Sequence, residues 1–172
     1  MKLINKTRFA ILGVLLESPS TGYDIKSLMH RSTSYFWRES DATIYPMLKL
    51  LEQEGKISAD ISYIGKKMKR IYSITKKGEK EFDVWLSNPT GTEIPRNEFL
   101  LKLFFATNKS EANRLMKERL KKVEELSSEL KVVEKRLEGL GNSTRVQIRL
   151  SALKYGLSLL TAERKWLKGE VR

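Results

Sequence analysis

Two groups of side chains in this sequence have the chemistry to hold a polyanion. The first is Thr43, Tyr45 and Lys49, with Ser40 just before them: hydroxyls and an ammonium of the kind that hydrogen-bond base edges and phosphates. The second is Lys66, Lys67, Lys69 and Arg70, four positive charges between positions 66 and 70. Such a cluster makes phosphate contacts, which give affinity and salt dependence more than sequence choice. Over the 172 residues, 33 Lys and Arg stand against 21 Asp and Glu, a formal +12 that favours nucleic acid ahead of a membrane surface. The excess is spread, with 15 basic and 10 acidic side chains in residues 1–87 and 18 and 11 in residues 88–172. Net charge therefore does not locate a binding face, and the local clusters must.

Catalytic chemistry has little to work with. There is no cysteine, which excludes a disulfide framework, a thiolate zinc site, a cysteine nucleophile and a thiol-based redox sensor. His30 is the one histidine, so no Ser-His-Asp or Cys-His set can form, and metal binding would need partners the chain lacks. Glycine-rich phosphate loops are absent, and the acids alternate with lysines as on solvated helix faces. The expectation is a non-enzyme without cofactor or metal. His30, near the end of the second helix, suits that helix's dipole. Lys2, Lys6 and Arg8 precede the apolar run Phe9 to Leu16 and so resemble a short leader peptide, but the run is brief and a poor cleavage site follows it. No stretch approaches the roughly 18 apolar residues of a membrane span, so a cytoplasmic protein without membrane partners is expected.

The elements that must carry these groups can be read from periodicity. Residues 4–16 read as a helix burying Ile4, Ile11, Leu12, Leu15 and Leu16 and ended by Ser18-Pro19. Thr21 caps a second helix to about His30, with Ile25, Leu28 and Met29 inward. The third, within Arg38 to Gly55, has Ser40 or Asp41 as cap, Ile44, Leu48 and Leu51 as buried stripe and Gly55 as terminator. Pro46 is tolerated only near a helix start, which places Thr43 and Tyr45 in the first turns. Ile57, Ala59, Ile61 and Tyr63 then alternate with polar residues as in a half-buried strand; residues 64–69 read as a basic tip, and the chain returns through Arg70 to Thr75. Thr75 caps a fourth helix carrying Phe82, Trp85 and Leu86.

Helix, helix, helix and basic hairpin make a winged helix-turn-helix, in which an exposed helix fits the major groove and the hairpin reaches the backbone or minor groove. Residues 1–87 form this DNA-binding domain, residues 88–95, with Asn88-Pro89-Thr90-Gly91, are a linker, and residues 96–172 are helical. Those helices run from about Pro95 to Ala106, from a cap at Ser110 to Leu140, and from Ser143 to about Lys168. Met116, Leu120, Val123, Leu126, Leu130, Val133, Leu137 and Leu140 recur in steps of three and four, as do Val146, Leu150, Leu153, Leu157 and Leu160. The second half thus reads as a coiled-coil-like dimerisation domain, and the fold class is mainly α with a small β-hairpin.

Ile11-Leu12-Gly13, Ser18-Pro19, Gly22-Tyr23-Asp24-Ile25, Thr43-Ile44-Tyr45-Pro46, Leu51-Glu52 with Gly55, and Tyr72-Ser73-Ile74-Thr75 with Gly78 together resemble the PadR family of bacterial transcriptional regulators. The likeness covers residues 9–86 as an ordered set. The second half resembles the longer, virulence-activator-like subgroup in size and helical character. The resemblance implies a homodimer on a palindromic operator, usually repressing, with Thr43 and Tyr45 on the recognition helix and the wing lysines near the DNA backbone. Tyr23 opens the second helix, where phosphate contact is expected, and Lys26 lies one turn on. Ala42 stands where many members have glycine. A small aromatic effector that releases DNA is also implied, for which Trp37, Trp85, Phe99 and Trp166 are the candidates; a packing role stays open beside it, since large aromatics mostly serve burial. The alternative function is a protein-interaction adaptor working through the helical second half. RNA or single-strand binding lacks its exposed aromatic platform.

Overall fold

The computed structural model describes residues 5–33, 36–37, 39–64, 67–91 and 96–171, apart from the side chains of Ser32, Asp41, Ile64 and Lys67. Packing divides the chain into two compact units, Met1–Gly91 and Thr92–Arg172. In the first, the order is α1 (Thr7–Leu15), β1 (Ser20–Thr21), α2 (Gly22–Ser32), α3 (Asp41–Gln53), β2 (Ile57–Ile64), β3 (Lys67–Ile74) and α4 (Lys76–Ser87). Local chemistry sets the helix ends. Thr21 Oγ1 accepts from the Asp24 N–H at 3.1 Å and Thr75 Oγ1 from the Gly78 N–H at 3.2 Å, each satisfying one of the unpaired donors of a first turn. Just beyond α3, Gly55 takes φ +66°, a backbone conformation that costs glycine nothing.

One core holds this unit together. Phe9, Ile11, Leu12 and Leu15 of α1 meet Ile25 and Met29 of α2, Ile44, Met47, Leu48 and Leu51 of α3, and Ile57 of β2. Burying each large aliphatic stabilises by about 1.5–3 kcal/mol, so the helical stripes, far more than any surface pair, fix the three helices around one another. The sheet has the order β1-β3-β2 and is antiparallel throughout, with Ser20 opposite Tyr72 and Ile57 opposite Ile74.

Several expectations change here. Leu16 is exposed because α1 stops at Leu15, while Ile4 lies outside the described residues. Leu28 is half-buried, and α2 continues to Ser32. The strand alternation is buried only at its base: Ile57 is in the core and Ala59 half-covered, but Ile61 and Tyr63 are exposed. β1 spans two residues and pairs only as far as Ile71, so beyond it the ribbon has two strands and no core beneath them. The basic tip is also shorter than read, since pairing continues to Ile64 opposite Lys67 and only positions 65 and 66 lie between.

The second unit contains α5 (Glu98–Phe104), α6 (Lys109–Glu138) and α7 (Thr144–Glu170). Asn97 and Asn108 cap α5 and α6 through their side-chain oxygens, so α5 starts later than Pro95 and α6 earlier than a Ser110 cap would allow. Helices α6 and α7 form an antiparallel hairpin whose buried residues recur every seven positions, Met116, Val123 and Leu130 against Val146, Leu153, Leu160 and Leu167. Arg119 clamps Glu163 through two bonds of 2.7 and 2.9 Å, and Lys168 reaches Glu124 at 3.0 Å. Leu140, placed in the stripe from sequence, is exposed past the end of α6. A second apolar stripe on α7, Ile148, Tyr155, Leu159 and Trp166 with Ala152 and Ala162 between them, is exposed.

Gly78 is where α4 presses on the end of the sheet: a Cβ there would stand 2.1 Å from the Lys56 carbonyl oxygen and 2.9 Å from Ile74 Cγ1. That carbonyl also accepts from the Thr75 N–H at 3.0 Å and shares the single Thr75 hydroxyl proton with the Gly55 carbonyl, at 3.0 and 2.8 Å, so it cannot withdraw freely. Gly78→Ala is therefore expected to destabilise the chain by about 1–3 kcal/mol in urea unfolding, and unchanged stability would contradict this packing.

Candidate nucleic-acid interface

Helix α3 has two faces of different chemistry. Ile44, Met47, Leu48 and Leu51 point into the core, whereas Ala42, Tyr45 and Lys49 are exposed at three- and four-residue spacing on the other side. Pro46 lacks the N–H that would serve the Ala42 carbonyl, at a turn where Ala42 is itself exposed. Ser40, the N-cap, makes no side-chain cap bond; its hydroxyl lies 2.8 Å from that of Thr43, either atom able to donate. Tyr45 is held by a glycine. A Cβ at Gly22 would stand 2.9 Å from Tyr45 Cε1 and 3.3 Å from Leu48 Cδ1, so the bare start of α2 is what lets the ring lie against it. Beside it Tyr23 is exposed, and Lys26, one turn along α2, is half-buried.

The wing is tied to this helix. Arg70 Nη2 donates to Glu52 Oε1 and Oε2 at 2.5 and 2.6 Å, and the guanidinium lies 5.7 Å from the centre of the Tyr72 ring. Hydrogen bonding to Glu52 holds Arg70 above its ordinary pKa, and burial pushes the Tyr72 phenol up. Arg70, read from sequence as a phosphate contact, thus already has a carboxylate partner. Lys69 is exposed, opposite Ser62 on the other face of the ribbon. Lys66 and the side chain of Lys67 lie outside the described residues.

Both ends of α3 are anchored. Ahead of it, Glu39 Oε1 accepts from the Trp37 indole N–H and the Thr7 hydroxyl, each at 2.6 Å; the single Thr7 proton is shared with Asn5 Oδ1, also at 2.6 Å. At the far end Arg8 Nη2 donates to Glu54 at 2.5 Å, and Lys77 Nζ to the Glu54 carbonyl at 2.8 Å. Arg8 Nε lies 2.6 Å from Glu81, close enough for an ion pair though out of line for a hydrogen bond, and Glu81 also pairs with Lys56. Burial pushes the Glu81 carboxyl up, but Lys56 and Arg8 outweigh it and hold the group below the usual carboxylate range.

The aromatic candidates fall in both units. Trp37 bonds Glu39, and Trp85 stacks on Phe9 with centroids 4.7 Å apart. In the second unit Phe99 and Trp166 meet edge-on at 6.5 Å, with Arg119 5.7 Å from the Phe99 ring centre. Among the described residues no group of three His, Asp or Glu side chains could hold a metal ion, and no helix is long and apolar enough to cross a membrane. Sequence reading gave Glu39 no part, and quoted Gly22 and Glu52 only within motifs; Glu39 bonds Trp37 two residues away but also Thr7 at a separation of 32, and Glu52 finds Arg70 at a separation of 18, which no local pattern announces.

Residues 11–84 match the transcriptional regulator PadR-like family, and residues 95–169 match the virulence activator alpha C-terminal family. The negative transcriptional regulator PadR of Bacillus subtilis strain 168 is 35% identical over 127 residues, 72% of this chain and 70% of that one. This chain belongs to the PadR-like family of transcriptional regulators. Among solved PadR structures, that of the B. subtilis protein in complex with operator DNA is similar with a TM-score of 0.89 and 27% identity, covering 99% of this chain and 98% of that one. The same protein in complex with p-coumaric acid gives 0.78 and 27%, covering 97% of each. As a PadR-like regulator with this winged fold, the chain stands outside the enzymes.

Glu39 gives a measurable consequence. Glu39→Ala leaves the Trp37 indole N–H without its acceptor, and a loss of about 1–3 kcal/mol in unfolding free energy is expected, with a shift in tryptophan emission. Glu39→Gln keeps a side-chain carbonyl and should lose less than half as much. Equal losses in the two variants would show that the charge, rather than the acceptor, holds the turn.

Proposed function

We propose that this chain is a sequence-specific double-stranded DNA-binding repressor that acts in the cytoplasm as a homodimer on a palindromic operator. The observation that carries the reading is the exposed Tyr45 and Lys49 face of α3, with the wing joined to it through Glu52 and Arg70. A helix presented this way can enter the major groove, with Thr43, Tyr45 and Lys49 toward bases and phosphates. Ser40, Tyr23, Lys26 and Lys69, with Lys66 and Lys67, would serve the flanking backbone, which positions the protein without choosing the sequence. In this reading Arg70 is a positioning residue, and residues 1–87, 88–95 and 96–172 act as reading domain, linker and dimerisation domain.

The homodimer rests on α7. Its exposed stripe of Ile148, Tyr155, Leu159 and Trp166 repeats as a helix-packing seam does, and a second copy supplies the matching surface under two-fold symmetry. A small aromatic acid is the proposed effector, as a relative has been solved with p-coumaric acid. Of the four aromatic candidates, Phe99 and Trp166 are best placed for it, because they meet edge-on beside Arg119, which an acid would have to share with its partner Glu163. Trp37 and Trp85 are engaged with Glu39 and Phe9.

Binding of the DNA upstream of its own gene, measured by mobility shift against a random duplex, tests the proposal. Tyr45→Ala is expected to weaken specific binding roughly 5- to 150-fold, the range for one good base contact, with dimerisation unchanged. A chain that binds both duplexes equally, or a Tyr45→Ala variant that binds like the parent, would overturn it.

A further inference from the structure

The wing carries two faces of opposite character. Residues directly opposite in an antiparallel pair share a face, so Ile61, Tyr63, Met68 and Arg70 lie on one side of the ribbon and Ser62 and Lys69 on the other. On the first side Ile61 is 62% exposed, Tyr63 70% and Met68 64%. That side continues inward through Arg70, bonded to Glu52 of α3, to Tyr72 and Ile74 packed against the core. It is the recognition-helix side of the wing, and its outer half is apolar.

Resting on the DNA reading above, we infer that Ile61, Tyr63 and Met68 form an apolar contact surface for the deoxyribose walls of the minor groove beside the groove that α3 enters. Continuity, charge and shape favour DNA as the occupant. The surface is continuous, through Arg70 and Glu52, with the face of α3 that carries Tyr45 and Lys49. Positions 61–70 contain four basic residues and no acid, which suits a polyanion. A two-stranded ribbon is narrow enough for a groove, and apolar side chains recur in minor-groove binding because sugars and base edges there offer little charge to read. The wing then binds in two ways at once: Lys69 on its outer side attracts phosphates, while the inner side excludes water from sugars with no counterion released.

Salt separates the two contributions. Affinity for the upstream duplex is measured as a function of salt for the parent, the double variant Tyr63→Ser with Met68→Ser, and Lys69→Ala. The double variant is expected to bind roughly tenfold more weakly with an unchanged slope of log affinity on log salt, whereas Lys69→Ala flattens that slope by about 0.9. Tyr63→Phe with Met68→Leu, which keeps the apolar surface and controls for folding of the ribbon, should bind within about twofold of the parent. Hydroxyl-radical cleavage of the bound duplex should lose its protection of minor-groove sugars in the serine variant alone. A serine variant that binds with the parent's affinity and protection would overturn this apolar contact and leave the DNA reading standing. Weaker binding with a flatter slope would also overturn it, as an electrostatic effect. Failure of the parent itself to prefer its upstream duplex would instead remove the underlying reading.

Discussion

Outside the core, one interaction ties the wing to the recognition helix, the pair in which Arg70 donates to both Glu52 oxygens. Its weight lies in geometry. Exposed ion pairs contribute little to stability, and the core stripe of Ile44, Leu48 and Leu51 keeps α3 in place without help. Beyond Ile71, however, the ribbon has no third strand and no core, so what aims its outer half is the guanidinium gripping α3 and lying over Tyr72. Both bonds come from the single nitrogen Nη2, so they set the distance between strand and helix, and the placement of the guanidinium over the Tyr72 ring adds the direction. Anchors at both ends of α3, Glu39 before it and Arg8 with Glu54 after it, make the helix a rigid base for that grip.

Much of this was legible in the sequence because it is written locally. Thr21, Thr75 and Ser143 announce their helices through caps two or three residues long, and the stripes of α3, α6 and α7 repeat within a turn or two. The reading failed where the deciding partner is distant. Strand β1 exists only because Ser20 and Thr21 meet Tyr72 and Ile71, and two residues leave no periodicity to detect. Alternation from Ile57 to Tyr63 is real, but whether a pleat face is covered depends on what lies beneath it, and at Ile61 and Tyr63 nothing does. Arg70 was grouped with the lysines by charge and proximity; the sequence gives no sign that a carboxylate on another element pairs with it, and its expected phosphate contact stands beside that pair. At α6 the competition was between Ser110 and Asn108, two residues of similar capping strength, and the oxygen that reaches the Glu111 N–H belongs to Asn108.

The second unit expresses a different constraint. Helix α7 is apolar along two sides, and one α6 covers only the side of Val146, Leu153, Leu160 and Leu167. The sequence stripe named from Val146 to Leu160 is this inner seam. The outer one, Ile148 to Trp166, carries the same three- and four-residue rhythm with alanines at the intermediate positions, which lets another helix approach closely. The proposed dimer on that seam would carry two reading units, so that each half-site contact would be made twice and a palindromic operator would mirror the symmetry of the protein.

In the proposed mode of binding, Arg70 serves DNA recognition by holding the wing to α3 rather than by touching phosphate. A charge-exchange cycle tests it most directly: affinity for the upstream duplex measured for Glu52→Arg, Arg70→Glu and the two together. Each single exchange is expected to weaken specific binding, and the double exchange, which restores an opposite pair across the same gap, to recover a large part of the loss. A double variant no better than Arg70→Glu alone would contradict it and return Arg70 to the phosphate backbone.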